Sequence, residues 1–317
     1  MTTALAGRTI TIGTRGSALA LVQTKIVRAA ILAASPELTV EVQRITTRGD
    51  AILDRSLVDA AVTDKGLFVE EIEAALRDGR IDLAVHSAKD LPSLLPPDMA
   101  IAAFTERADP RDVLVSPHGT LAALPPGARV GTSSPRRTCQ LRAARPDLTV
   151  LDIRGNVDTR LRKLAEGQYD AIVLAAAGLL RLGREAEITE WFTPAQMLPA
   201  VGQGALAIET RANDPALAAL LTPLAHGATM AALEAERAFL AAVSGGCSAV
   251  VAAYAEIHPA SAGDELRLTG LIGGADGTQV RETRAEHPSE GARLGTELAA
   301  ALLAQGGAWL LVGGDGE

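Results

Sequence analysis

The chain has 317 residues, 48% of them apolar and 21% charged, and 30 Lys and Arg against 38 Asp and Glu give a net charge of −8. That length suggests two or three domains, and so large an apolar share excludes a disordered chain. The acidic balance and the 3% aromatic content argue against nonspecific nucleic-acid binding, which needs basic surface and stacking platforms.

In chain order, Met1–Arg8 has no basic flank ahead of an apolar core, so no export signal is expected. Residues 8–13 alternate as a strand, and 17–34 read as a helix with Leu19, Val22, Ile26 and Ala30 at helical spacing. A strand over 38–46, a helix over 70–77 and a buried strand over 81–85 follow. Strand–helix–strand alternation of this kind predicts a parallel sheet with helices on its faces. The pattern then restarts: strand 129–131, helix 135–144, strand 148–153, helix 157–166 and strand 169–175. Two echoes support a duplicated plan. Ile12-Gly13-Thr14 resembles Val130-Gly131-Thr132, and Gly79-Arg80-Ile81-Asp82 resembles Gly167-Gln168-Tyr169-Asp170. From about Gly227 the grammar changes. A helix near 230–243, three strands over 250–258, 265–272 and 278–286, and a helix over 290–304 predict an antiparallel sheet covered on one face by helices. No uncharged apolar run reaches the ~18 residues that span a bilayer.

The charge is uneven. Between Arg129 and Arg184 stand ten Arg and one Lys against five acidic residues, a local net of +6 that leaves −14 for the rest. Arg offers a planar fork that grips carboxylate or phosphate through two bonds, so this window reads as an anion site. Ligands of open α/β sheets bind beyond the carboxyl ends of the strands. Four such ends are polar here: Gly13-Thr14-Arg15-Gly16-Ser17, His86-Ser87-Ala88-Lys89-Asp90, Gly131-Thr132-Ser133-Ser134-Pro135-Arg136-Arg137 and Arg154-Gly155-Asn156. The first and third are helix entrances, where free backbone N–H groups and the helix dipole favour an anion. Ser134 is placed to cap its helix and Pro135 suits the first turn. Together these ends predict a cleft between domains that faces a multiply charged anion.

Lys89-Asp90 adds a carboxylate that neighbouring Arg would keep ionised, able to stabilise a developing cation or to handle a proton. The alternative reading is a surface ion pair. Two cysteines are too few for a disulfide framework and fit a reduced cytoplasm. No Cys/His spacing reads as zinc. Cys139 sits within a helix and reads as inert packing. Cys247, in Ser244-Gly245-Gly246-Cys247-Ser248, sits on a Gly-rich loop and is the better candidate for covalent chemistry. None of the five His forms an obvious pair with it, which disfavours a Cys-His acyl transferase.

Ordered motifs run through the chain: TRGSALALVQ (14–23), TTRGD (46–50), KGLFVEEIE (65–73), AVHSAKDLP (84–92), ADPRDVLVS (108–116), GTSSPRR (131–137), RGNVDTRL (154–161), LPAVGQGALAIE (198–209), AERAFL (235–240) and GGC (245–247). By these motifs the chain resembles, over nearly its whole length, the hydroxymethylbilane synthases, also called porphobilinogen deaminases. The resemblance implies a transferase that joins four porphobilinogen units head to tail, releases ammonia and frees the linear tetrapyrrole hydroxymethylbilane. Each ring carries an acetate and a propionate, which gives an Arg cluster its purpose. It also implies a dipyrromethane cofactor held by a thioether to Cys247, and a monomeric cytoplasmic enzyme without nucleic-acid or membrane partners. By motif, Asp90 resembles the catalytic carboxylate and Lys89 the cofactor-contacting Lys. Arg15, Ser17, Thr132, Ser133, Ser134, Arg136, Arg137, Arg154, Gly155, Arg160 and Arg181 resemble the groups that bind cofactor and substrate carboxylates, with Gln23 on the substrate side.

The fold so implied is α/β: two periplasmic-binding-protein-like domains with a hinge, plus a third α+β domain with a three-stranded antiparallel sheet that carries the cysteine. Its boundaries here would be 1–104 with 201–222, 105–200, and 223–317, the chain crossing back into the first domain around 201–220. Two departures stand out. Thr63-Asp64 replaces the Gly-Gly usual before Lys65-Gly66 of the family's mobile loop, and Val250 stands where many members have Pro. The competing reading is a noncatalytic hinged anion-binding module, which needs neither Cys247 nor Asp90.

Overall fold

The computed structural model describes residues 8–47, 69–243, 250–261 and 263–311. Cys247 and the Thr63–Gly66 departure lie outside the described residues. By internal contacts the chain divides into two compact units, one of residues 1–108 with 205–230 and the other of 109–204 with 231–317.

The first stretch of chain forms β1 (Thr9–Thr14), α1 (Ala18–Ala34), β2 (Thr39–Arg44), α2 (Glu70–Arg77), β3 (Leu83–Ser87) and β4 (Met99–Phe104). The second forms β5 (Asp112–Val115), β6 (Arg129–Gly131), α3 (Pro135–Ala144), β7 (Thr149–Leu151), α4 (Val157–Ala165), β8 (Ala171–Ala175), α5 (Ala176–Arg181) and β9 (Glu190–Trp191). The chain then returns to the first unit with β10 (Leu206–Arg211) and α6 (Pro215–Leu221). Last come α7 (Gly227–Val243), β11 (Val250–His258), β12 (Glu265–Gly273), β13 (Gln279–Glu286) and α8 (Gly291–Leu302).

The two five-stranded sheets share one plan. The first runs β2-β1-β3-β10-β4 and the second β7-β6-β8-β5-β9. In each, three strands are parallel, as the alternating pattern predicts. The fourth is antiparallel to both neighbours, so the sheets are mixed and the all-parallel expectation is corrected. The reason is connectivity. β10 enters the first sheet between β3 and β4 after the chain has built the second, and β5 opens the second sheet before its parallel strands exist. Neither strand belongs to a local strand–helix–strand unit, so local alternation carries no sign of its direction.

The two sequence echoes meet in space within each unit. A Cβ at Gly13 would lie 2.2 Å from Ile81 Cδ1, and one at Gly131 would lie 2.9 Å from Tyr169 Cδ1. The Asp that follows each aromatic or aliphatic partner then ties the two parallel strands together. Asp82 accepts from Thr11 N–H at 2.8 Å and Asp170 from Arg129 N–H at 2.7 Å, and each also holds an Arg, Arg8 and Arg129 respectively.

Helix α1 starts where expected, with the Ser17 Oγ accepting from Ala20 N–H at 3.3 Å. Its buried face is Gln23, Thr24, Val27 and Ile31, and Ile26 is 44% exposed. The stripe is thus turned from the expected Leu19-Val22-Ile26-Ala30, because this helix is apolar nearly all round and spacing alone cannot choose its face. Ile10, Ile12, Val27, Ile31, Leu83 and Ile208 form the core between α1 and the first sheet. The second unit packs Leu114, Val130, Leu141 and Val173 on one side of its sheet and Val113, Ile153, Ile172 and Leu179 on the other.

The third sheet runs β11-β12-β13, antiparallel throughout. Glycines let its helices approach closely: a Cβ at Gly295 would lie 2.3 Å from the Ala235 carbonyl on α7, and one at Gly270 would lie 2.6 Å from Phe239. The helical run 288–311 is long and apolar enough by composition to cross a membrane, but it buries Leu294, Leu298 and Leu302 within its unit. The buried Glu236 of α7 accepts from Gly202 N–H at 2.7 Å and Ala255 N–H at 2.9 Å. It thereby fixes the 200–204 turn against β11. Val250 opens β11 as a buried residue opposite Gly273.

Candidate active site

In the first unit, β1 and β3 are adjacent and parallel, so their carboxyl ends open side by side. That places Arg15, Ser17 and Gln23 in one recess with His86, Ser87 and Asp90. Lys89 and Asp90 lie on a single 3-10 turn, Ala88–Asp90, directly after β3. Gln23 is buried and donates from Nε2 to Ser87 Oγ at 2.8 Å, tying α1 to the end of β3. Beneath the recess, His86 Nε2 and Glu209 Oε2 are 2.9 Å apart, both buried. Glu209 comes from β10, two residues beyond the residue paired with His86, so the two side chains are diagonal neighbours on one face.

In the second unit, the β6 end carries Thr132, Ser133 and Ser134 into α3. Thr132 is buried and its Oγ1 accepts from Ser134 N–H at 3.2 Å. Ser133 is bound to the end of the neighbouring strand, donating to the Ile153 carbonyl at 2.6 Å and accepting from Ile153 N–H at 3.1 Å. Ser134 occupies the N-cap position with Pro135 behind it, yet its side chain makes no capping bond, which corrects the capping expectation. Arg154 is exposed and pairs with Asp152 at 3.0 Å. Burial opposes ionisation of Asp152, but the Ser133 hydroxyl with Arg154 and Arg160 holds its carboxyl below the usual range. Gly155 has φ +111°, where a Cβ would also strike Thr159 at 2.6 Å. Arg160 Nε donates to the Gly155 carbonyl at 2.8 Å, so a side chain at 155 would disturb that anchor as well.

Arg136 and Arg137, expected to face a bound anion, hold an internal one. Both are buried and both hold Asp112 of β5, each at 2.7 Å. Arg137 also donates to the Val173 carbonyl, and Arg136 to that of Leu198. Gln203 Nε2 completes the cage at 3.0 Å from Asp112. Burial by itself would raise the Asp112 carboxyl, but the charges of Arg136 and Arg137 and the hydrogen bonds around it hold it far below the ordinary carboxylate range. Two guanidiniums against one carboxylate leave a net positive charge in the protein interior. Asp112, Gln203, Glu209 and His86 escape motif reading as site residues. For Asp112, the signal was an Asp opening an apolar strand within ADPRDVLVS.

Arg181, at the end of α5, is largely buried and donates from Nη2 to the Gly204 carbonyl at 2.7 Å. Among the described residues it has no carboxylate partner, and burial lowers it to about 10. A guanidinium so placed still carries its charge at neutral pH, with no counter-ion against it among the described residues. By contrast Cys139 is fully buried and burial pushes its thiol up to about 11, which makes it unreactive.

The chain is thus an α/β protein with basic and hydroxyl groups at the strand ends of each unit and with the Asp90 carboxylate at those of the first. Comparison with known proteins is specific on which. Residues 10–219 match the family model described as "Porphobilinogen deaminase, dipyromethane cofactor binding domain", and residues 230–304 match "Porphobilinogen deaminase, C-terminal domain". The chain is 62% identical over 305 residues to the porphobilinogen deaminase of Roseiflexus castenholzii, covering 96% of this chain and 99% of that protein. It is 47% identical over 306 residues to that of Syntrophomonas wolfei, covering 96% and 98%. Among solved structures it is similar to the periplasmic VFT2 domain of Bordetella pertussis BvgS, at 16% identity over 67% of this chain and 85% of that one, with a TM-score of 0.39. The chain belongs to the porphobilinogen deaminase family, the transferases that build hydroxymethylbilane in tetrapyrrole biosynthesis on a dipyrromethane cofactor.

Proposed function

We propose that this chain, acting as a cytoplasmic monomer, polymerises four porphobilinogen molecules with Asp90 as its catalytic carboxylate and Cys247 as the attachment point of the dipyrromethane. The observation that carries the reading is Arg181, a partly buried guanidinium with no carboxylate partner among the described residues. A dipyrromethane brings acetate and propionate groups, and the donors of the second unit fit them. Arg181, the net charge left by Arg136 and Arg137 around Asp112, the Ser134 hydroxyl, and Arg154 and Arg160 beside Gly155 would hold it in the second unit. Lys89 contributes from the turn it shares with Asp90. When bound, the cofactor supplies the free pyrrole carbon to which the first unit is joined.

The recess supports the following roles for the first unit's residues. Arg15 and Ser17 sit at the entrance of α1, where the helix dipole adds to the Arg charge, and bind the carboxylates of porphobilinogen. Gln23, fixed by Ser87, lines the substrate side of the recess. Asp90 keeps a negative charge beside the pyrrole nitrogen while the C–N bond to the leaving ammonia breaks and cationic character develops on the ring. Preformed charge of this kind requires no reorganisation as the reaction proceeds. The third sheet with α7 and α8 serves as the cofactor-bearing module over 223–317. Neither a nucleic acid nor a membrane enters this reading.

Intact-mass spectrometry tests it. Protein expressed with the tetrapyrrole pathway intact should exceed its sequence mass by two pyrrole units, mapped to Cys247 and absent in Cys247→Ala. Cys139→Ser should keep both the added mass and the activity. Asp90→Ala should keep the added mass and lose turnover by at least about 100-fold. A wild-type chain at its bare sequence mass would count against the proposal.

A further inference from the structure

Beneath Asp90 lies a buried acid–base array that the roles above leave unused. Glu209 is fully buried, yet only its Oε2 has a partner, His86 Nε2 at 2.9 Å; its Oε1 has none among the described residues. A buried carboxylate with a single bond is costly unless a proton is at hand. A second acid stands close by. Burial, and then the charge of Glu209, push the Glu73 carboxyl up, with Arg77 working the other way through a 3.3 Å hydrogen bond. The groups facing the pair are thus Glu73 from α2 and, in the recess that His86 lines, Arg15 and Asp90.

The reaction has a matching need. As each ring is added, the aminomethyl C–N bond breaks and its electron pair leaves with ammonia. A C–C bond then forms to the free α-carbon of the accepting pyrrole, and that carbon must shed its hydrogen as a proton. The C–H electron pair restores the aromatic ring. From the second addition onward the accepting ring is itself derived from substrate. Asp90 serves the cationic ring best while ionised, so a second proton acceptor relieves it of two conflicting duties.

We propose that His86 is that acceptor and that Glu209 is its positioning residue. This rests on the assignment of Asp90 above. The Glu209 carboxylate accepts from Nε2–H, which leaves Nδ1 as the free basic nitrogen. Nδ1 takes the α-proton, the imidazolium is balanced by Glu209, and the proton passes to the departing ammonia as ammonium. His86 returns to neutral for the next cycle.

The test uses the loaded enzyme, porphobilinogen deuterated at its free α-carbon, and ¹⁵N spectra of labelled histidine. His86→Asn should lower kcat by about 100-fold, leave KM nearly unchanged and enlarge the α-deuterium isotope effect. The near-isosteric Glu209→Gln should lower kcat by about tenfold with the same enlarged isotope effect. Glu209→Leu, which has no acceptor for Nε2–H, should shift the His86 signal away from the Nε2–H tautomer, a readout independent of turnover. If His86→Asn does not fold, Glu209→Gln decides alone. A wild-type isotope effect in the folded variants, or a wild-type His86 tautomer in Glu209→Leu, overturns the proposal. Failure of the Asp90 assignment shows separately, as full turnover in Asp90→Ala.

Discussion

Arg137 grips Asp112 with two nitrogens, Nε at 3.0 Å and Nη2 at 2.7 Å, both on Oδ1, in a part of the second unit that solvent does not reach. Arg136 holds the other oxygen, so the carboxylate is the hub on which both guanidiniums are oriented. Asp112→Asn keeps the shape and removes the charge. Two buried cations would then face each other with no anion between them. The expected loss is about 3–5 kcal/mol in urea unfolding. A loss below about 1 kcal/mol would show that the triad is not an energetic unit.

The same carboxyl sets a pH dependence. Its folded value is depressed, so its contribution is complete above the ordinary value of 3.8 and disappears only as pH falls well below it. Wild-type stability should therefore carry an acid-side decline that Asp112→Asn lacks. Parallel stability-versus-pH curves for the two proteins would contradict that sign.

Arg181 predicts a trade between stability and function. Its folded value is lowered to about 10, so the fold disfavours its charged form and bears that cost at every pH below that value. Arg181→Met keeps the stem's packing and removes the charge. Urea unfolding should show equal or greater stability, while KM for porphobilinogen rises by roughly tenfold, as for loss of one charge-assisted contact. A stability loss above about 2 kcal/mol would mark Arg181 as structural instead.

Gly13 and Ile81 offer a geometric test of the repeated strand contact. Gly13→Ala should destabilise by about 1–3 kcal/mol, because the new methyl overlaps Ile81 Cδ1. Ile81→Val deletes that atom and leaves the others at 3.3 Å, so the double variant should regain most of the loss. Additive losses in the double variant would mean that the overlap is not the cause.

Much of the site was legible because local chemistry writes it. Arg15, Ser17, Lys89 and Asp90 follow directly on strands that periodicity identifies, and the strands' parallel pairing makes their ends meet. Ser134 and Pro135 mark the start of α3 correctly even though the Ser134 side chain does not cap it. Arg136 and Arg137 were visible as a doublet, but their burial was not, since nothing adjacent in the chain announces Asp112 as their partner.

The chain by itself determined most of its helices and strands, the echoed Gly and Asp positions of its two α/β halves, and its family, because each is set by spacing or by motifs a few residues long. The tertiary structure alone decided the antiparallel β5 and β10, the Asp112 cage and the His86–Glu209 pair. Those depend on side chains 24 to 123 residues apart in sequence. Which of them meet is chosen by strand order and by the exclusion of water around the meeting point, and neither leaves a periodic trace in the sequence.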